Sequence, residues 1–188
     1  MDTTSIDYAK DLDANDPLAR YRDLFVILDP DLIYLDGNSL GRMPKATARL
    51  GQELLNQQWA DRLIRAWGEG WLEMPQRIGD KIGKLIGANP GEVLLADSTT
   101  INLYKLASAA LQYQKGRTKV ITDNMNFPSD IYVLGSVIES AGQNHKLEIV
   151  PSQDEIHVPE DAIISALDED TALLTLSLTT FKSGYTYD

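Results

Sequence analysis

Cysteine is absent from the 188-residue chain, which excludes disulfides and every metal site built on thiolates. Histidine is scarce: His145 and His157 are the only two, too few for a multi-histidine metal centre. Positive charge is outnumbered, 17 Lys and Arg against 28 Asp and Glu, for a formal net charge of −11. With its basic residues scattered, the chain has no stripe that could neutralise a phosphate backbone, so nucleic acid is excluded as a partner. No uncharged run approaches the roughly 18 residues that signal a membrane span, and the N-terminal stretch MDTTSIDYAKDLDANDP is polar and acidic, without the apolar core of a signal peptide. A cytoplasmic protein with no membrane contact is expected. Two phosphate-binding fingerprints, GxGxxG and GxxxxGK[ST], are also missing, as are internal repeats and low-complexity tracts. What remains is a composition 43% hydrophobic, enough for one packed domain or for a large domain cut short.

The stretch VLLADSTTINLYKLASAAL (93–111) organises the rest. A short apolar run at Val93, Leu94 and Leu95 predicts a strand. Ser98, Thr99 and Thr100 follow as a hydroxyl cluster, and Leu103, Leu106, Ala110 and Leu111 then fall into helical spacing. Hydroxyls at a helix start join free backbone N–H groups and the positive end of the helix dipole, a combination suited to a phosphate. Equally, Ser98 or Thr99 can be an ordinary N-cap serving its own helix.

Along the chain, residues 1–18 read as a solvated arm, followed by a helical pattern at Leu18, Tyr21, Leu24 and Phe25. A short strand is predicted at Leu32–Leu35, then a turn at Asp36-Gly37-Asn38 and one amphipathic helix from Pro44 to about Trp67. Two glycines and a proline make 67–75 a loop carrying Trp67 and Trp71; a helix through Ile78, Ile82, Leu85 and Ile86 then ends at Gly87. KVITD (119–123), KLEIV (146–150) and TALLTLSL (171–178) read as strands. Helices fill the intervals, one capped by Ser129 and Asp130 and one at PEDAIISALDED. Alternating strands and helices predict an α/β fold with a mainly parallel sheet and flanking helices. Ligands in such sheets sit beyond the carboxyl ends of the strands, where the loops after Leu95, Asp123 and Ser177 converge.

Four stretches carry a resemblance: YLDGNSLGRMPK (34–45), GWLEMPQRIGDKIGKLIGA (70–88), DSTTINLYKL (97–106) and NFPSD (126–130). In this order they resemble the kynureninase family of pyridoxal-phosphate enzymes, of the class V aminotransferase fold. The resemblance implies a truncated version of the large domain of fold-type I enzymes, with 1–42 an N-terminal arm and lead-in segment and 43–188 the N-terminal part of the cofactor-binding domain. It implies that Thr99 and Thr100 hold the cofactor phosphate, that Phe127 stacks on the pyridine ring with Pro128, Ser129 and Asp130 shaping that side, and that Ser177 lies near the cofactor. Asn38, Ser39 and Trp71 fall where the family contacts substrate. For Phe127 and Trp71 a plain packing role stays open, as does an ordinary strand position for Ser177.

The implied activity is hydrolysis of kynurenine, a 3-acylalanine, to anthranilate and alanine in tryptophan catabolism, the kynurenine pathway and NAD biosynthesis, by a cytoplasmic homodimer acting on a small amino-acid substrate. The chain departs from the family pattern after Ser177, where it has Leu178-Thr179-Thr180. The family's lysine that holds the cofactor covalently has no counterpart here, so the 188 residues alone are expected to be inactive, with no catalytic residue of their own. Two alternatives are another class V enzyme, a desulfurase or aminotransferase, and a non-catalytic truncated α/β binding module.

Overall fold

The computed structural model describes residues 2–142 and 144–188. They divide into two compact units, residues 1–93 and 94–188, each described by itself.

The first unit is helical. Helix α1 (Ile6–Ala14) starts at Ser5, whose hydroxyl accepts the Tyr8 N–H at 3.2 Å. The predicted arm is therefore a capped helix, though a solvated one with no buried residue. Residues Ala19–Leu24 form a 3-10 turn, and Phe25 bridges to Pro44 in antiparallel fashion. The strand predicted at Leu32–Leu35 does not form: these residues are exposed and lie in no ladder. An apolar run makes a strand only beside a partner that takes up its backbone bonds. The predicted turn at 36–38 is present, with Ser39 Oγ donating to Asp36 Oδ1 at 2.8 Å.

The single helix predicted from Pro44 to Trp67 is instead α2 (Lys45–Glu53) running into a π-helical stretch, Leu54–Arg62. It ends at Leu63, which sits at φ 53°. The predicted loop 67–75 is mostly helical too: Trp67–Trp71 is a second π turn, kinked at Gly70 (φ 139°), and α3 (Met74–Ile86) begins at once with Pro75 in its first turn. Gly87 closes α3 in the left-handed conformation at φ 75°, as a glycine past a helix end does. Buried Gly83 lets the returning chain run close along α3, where a Cβ would meet Val93 at 3.5 Å; Gln76 Nε2 reaches the Val93 carbonyl at 3.1 Å, and Asp80 Oδ1 accepts the Gly91 N–H at 2.9 Å. The Gly91 N–H first, and then Gln76 Nε2, which also donates to Asp80 Oδ1 at 3.0 Å, hold the Asp80 carboxyl below its ordinary range.

The second unit carries the sheet. Helix α4 (Thr99–Tyr113) leads into β1 (Lys119–Asp123), then α5 (Pro128–Ala141), β2 (Lys146–Val150), α6 (Glu160–Ala166) and β3 (Thr171–Leu174). The strands run in parallel in the order β2-β1-β3, as the alternation of elements requires. β3 stops at Leu174, earlier than predicted, although the Thr175 N–H still reaches the Ile121 carbonyl at 3.0 Å. Residues 93–95, expected to be a strand, pair with no described strand.

β1 has helices on both faces. Val120 packs with Ala107, Leu111, Leu134 and Val137 of α4 and α5; Ile121 packs with Met125, Val150, Val158 and Ile163 on the α6 side. Ile121 and Val158 are fully buried and Leu134 is nearly so, each contributing roughly 1.5–3 kcal/mol of apolar burial. At the amino edge, Lys119 Nζ donates to Ala166 O and Asp168 Oδ2, both at 2.7 Å, while Asp170 accepts from Thr118 N and Oγ1 at 2.9 and 2.8 Å. The amino end of β1 is thereby clamped to the connection entering β3.

At the carboxyl edge, Asp154 organises a turn after β2. It accepts from the Ile156 and His157 N–H groups at 2.8 and 3.1 Å and from Ser152 Oγ at 3.0 Å, and its Oδ2 lies 2.9 Å from His157 Nδ1. These bonds, the Ile156 N–H first, pull its pKa from 3.8 to about 2. A carboxyl whose folded pKa is depressed stabilises the fold above its unfolded pKa and ceases to do so as pH falls through the folded value. Between pH 3.8 and about 2, the amides of 152–157 are thus expected to lose hydrogen-exchange protection in the parent chain. In Asp154→Asn, protection over that window should not change with pH.

Candidate functional site

Topology sets the position of the candidate residues before any side chain is considered. α4 ends at Tyr113, a few residues ahead of the amino end of β1. Its 15 residues cover about 22 Å, which carries its N-terminus back toward the carboxyl edge. α5 starts directly beyond the carboxyl end of β1. Both helix starts therefore belong to the edge where the segment following β3 also emerges.

At the start of α4, Ser98 is the N-cap: its Oγ accepts the Ile101 N–H at 3.4 Å and its carbonyl accepts the Asn102 N–H at 2.9 Å. The cap is Ser98 alone. Thr99 and Thr100 are exposed in the first turn, and among the described residues their N–H groups have no acceptor. Two residues absent from the sequence reading fix the approach. Asn102 Nδ2 donates to the Ala96 carbonyl at 2.7 Å, and Lys105 pairs with Asp97, which stands in the left-handed region at φ 40°. Lys105 thereby offsets the Asp97 carboxylate beside the positive end of the helix dipole.

At the end of β1, Asp123 is buried and takes the Met125 N–H on Oδ1 at 2.7 Å; burial pushes its carboxyl above the ordinary range. Asn126 is also buried, with both ends of its amide bonded. Phe127 is the N-cap residue of α5 and Pro128 its first helical residue. Ser129 and Asp130, expected to cap this helix, lie inside its first turn instead, where Ser129 Oγ meets Asp130 Oδ1 at 3.3 Å. The cause is Pro128: its missing N–H and fixed φ suit the first helical position, which leaves capping to the residue before it. Phe127 is 52% exposed, and Phe181 meets its ring at a centroid distance of 5.0 Å and an interplanar angle of 75°.

Ser177 follows β3, and its hydroxyl donates to Asn126 Oδ1. The structure thus joins the Phe127 and Ser177 loops through Asn126 and Phe181, neither of which the sequence reading had singled out. A buried asparagine in a loop and a phenylalanine four residues past a serine carry no periodic signal. The turn 152–157 is tied in as well, since Asn124 Oδ1 accepts the Ser152 N–H at 2.7 Å and Ser183 Oγ donates to the Ile156 carbonyl at 2.5 Å.

Asn38, Ser39 and Trp71 belong to the first unit. Asn38 and Ser39 are exposed in the 37–40 turn. Trp71 donates its indole N–H to Gln58 Oε1 at 2.7 Å and lines a cavity of about 280 Å³ with Arg62, Glu69, Met74 and Arg77, in which Arg62 pairs with Glu69. Among the described residues no cluster of His, Asp and Glu is arranged to hold a metal, and no helix is long and apolar enough to cross a membrane.

No family model matches the chain. It is 39% identical over 182 residues to a kynureninase of Pseudomonas fluorescens. To a kynureninase of Burkholderia pseudomallei (strain 1106a) it is 37% identical over 182 residues. In both cases the match covers 94% of this chain and 42% of the relative, so the chain spans well under half the length of these curated relatives. Among solved structures, a C-DES mutant with glycine covalently linked to its PLP cofactor aligns with a TM-score of 0.66 over 91% of this chain and 43% of that one, at 14% identity. A NifS-like protein aligns with a TM-score of 0.61 over 76% and 39%, at 17% identity. This likeness is one of fold, and it bears out the α/β architecture read from the sequence.

Ser98 and its two neighbours have separable roles: Ser98 caps the helix, while Thr99 and Thr100 stand exposed in its first turn. Ser98→Ala is expected to lower stability by about 1 kcal/mol through loss of the cap, whereas Thr99→Ala and Thr100→Ala, at exposed positions, should stay within about 0.5 kcal/mol of the parent. Urea denaturation of the three variants checks this.

Proposed function

We propose that this chain supplies the phosphate grip and the ring platform of a kynureninase-like, pyridoxal-phosphate-dependent hydrolase. The observation that carries the reading is the similarity to kynureninases over 94% of the chain. In this reading residues 1–42 are a lead-in and 43–188 the N-terminal part of the cofactor-binding domain. The reaction breaks the Cβ–Cγ bond of kynurenine; water gives its hydroxyl to the acyl carbon, forming anthranilate, and a proton to Cβ, forming alanine. Bound pyridoxal phosphate supplies the electron sink for that cleavage.

The residues present suit such a cofactor. The free N–H groups and hydroxyls of Thr99 and Thr100 offer a phosphate dianion charge-assisted donors at the positive end of α4. Phe127 offers a half-exposed aromatic ring of the size of a pyridine, in contact with Phe181. Pro128 fixes the entry to α5, and Ser129 and Asp130 line its first turn. Ser177 supplies a hydroxyl on the neighbouring loop. Asn38, Ser39 and Trp71 are assigned to the substrate side, where Gln58 holds the Trp71 indole. The reading extends to a cytoplasmic homodimer in tryptophan catabolism and NAD biosynthesis. Support for pairing comes from apolar side chains left exposed in the first unit, among them Leu28, Leu63 and Ile64.

Lysines near the candidate edge are engaged elsewhere, Lys105 with Asp97 and Lys182 with Glu155. The chain incubated with kynurenine and cofactor is therefore expected to release no anthranilate above the rate of free cofactor, measured by chromatography. Binding is the sharper test. Two charge-assisted bonds of about 1.5–3 kcal/mol each correspond to a loss of roughly 10²–10⁴-fold in affinity. Pyridoxal phosphate titrated into the double variant Thr99→Ala/Thr100→Ala, followed by absorbance, should show a loss of that order. Unchanged affinity would remove these residues from the phosphate site.

A further inference from the structure

Asn126 is 4% exposed, and nothing about a loop residue one position ahead of a helix cap demands a buried amide. Its contacts explain why it is there. Nδ2 donates to Thr122 Oγ1 at 2.6 Å, on β1 itself, and to the Thr175 carbonyl at 3.2 Å, just past β3. Oδ1 accepts the Ser177 hydroxyl at 2.5 Å. The Thr175 carbonyl can only accept, so it fixes which end of the amide is nitrogen, and that leaves Oδ1 as the acceptor for Ser177. One side chain thus sets the spacing between the ends of two adjacent parallel strands, while its own backbone runs straight into Phe127.

We propose that Asn126 is a positioning residue that holds the Phe127 ring and the Ser177 hydroxyl in one fixed relation, so that a planar ligand meets both at once. This rests on the reading that pyridoxal phosphate binds at this edge. It adds a chemical constraint: the Ser177 proton is committed to Asn126, so Ser177 presents lone pairs to a ligand and recognises a donor group on it. The phosphate grip on α4 is independent of Asn126, which has no bond to residues 97–102.

The test compares two probes and one signal from the ligand-free protein. In Asn126→Ala, pyridoxal phosphate is expected to bind about tenfold or more weakly, the loss of one to two net hydrogen bonds, while inorganic phosphate binds within about twofold of the parent. Ser177→Ala alone should weaken pyridoxal phosphate, and adding it to Asn126→Ala should weaken it no further, because the two act as one unit. Without ligand, Asn126→Ala should speed amide exchange at 175–180 and leave 160–166 protected. Equal loss of both probes, unchanged pyridoxal phosphate affinity, or effects of Asn126→Ala and Ser177→Ala that multiply would each overturn the proposal. If Asn126→Ala does not fold, Asn126→Ser, which keeps one donor, is measured in the same way against the same outcomes. A parent chain that binds phosphate but not pyridoxal phosphate defeats the functional reading; the role of Asn126 is then decided by exchange alone, and unchanged protection at 175–180 overturns it.

Discussion

The carboxyl edge of the second unit depends on β1 being paired along both sides and covered on both faces. Because β2 and β3 flank it, its backbone bonds are satisfied within the sheet, and Ile121, Thr122 and Asp123 can be almost fully buried without orphaned amides. That burial makes the end of β1 a fixed origin. Asp123, Asn124 and Asn126 each make bonds there to a different stretch of chain: their own loop, the turn after β2 and the segment after β3. Loops are usually the least ordered parts of an α/β unit; here three of them are bonded to one another at the carboxyl edge of the sheet.

Charge is handled differently at the two edges. At the amino edge, Lys119 is enclosed by a carbonyl and the carboxylates of Asp168 and Glu148, which raises its pKa, chiefly through the Asp168 bond. The carboxyl edge instead holds Asp123 in a position where desolvation dominates and no cation compensates. The ion pairs of the carboxyl edge, Lys105 with Asp97 and Lys182 with Glu155, involve exposed lysines, whereas the Lys119 side chain is only 16% exposed.

What could be read from the sequence was whatever depended on local chemistry. KVITD and KLEIV announced themselves by apolar runs bounded by polar residues, the α4 start by Ser98, and the end of α3 by Gly87. The failures were of two kinds. Leu32–Leu35 and Val93–Leu95 have strand composition, but a strand is a property of two segments, and no described segment pairs with either. The second kind concerns a local signal: Pro128 marks the first helical position, and with it Phe127 as the cap position. Asn126 and Phe181 could not have been found, since their roles exist only through contacts about 50 residues distant, as in the Ser177 bond, and no spacing rule reaches that far.

The order β2-β1-β3 also decides how this sheet can grow. β2 carries Lys146 and Glu148 exposed along its length, and charged side chains on an edge strand oppose docking of another strand. β3, Thr171–Leu174, has no charge at all, so its free side offers unopposed backbone donors and acceptors beside apolar side chains. The sheet is guarded by charge on its β2 flank and left without that guard on its β3 flank.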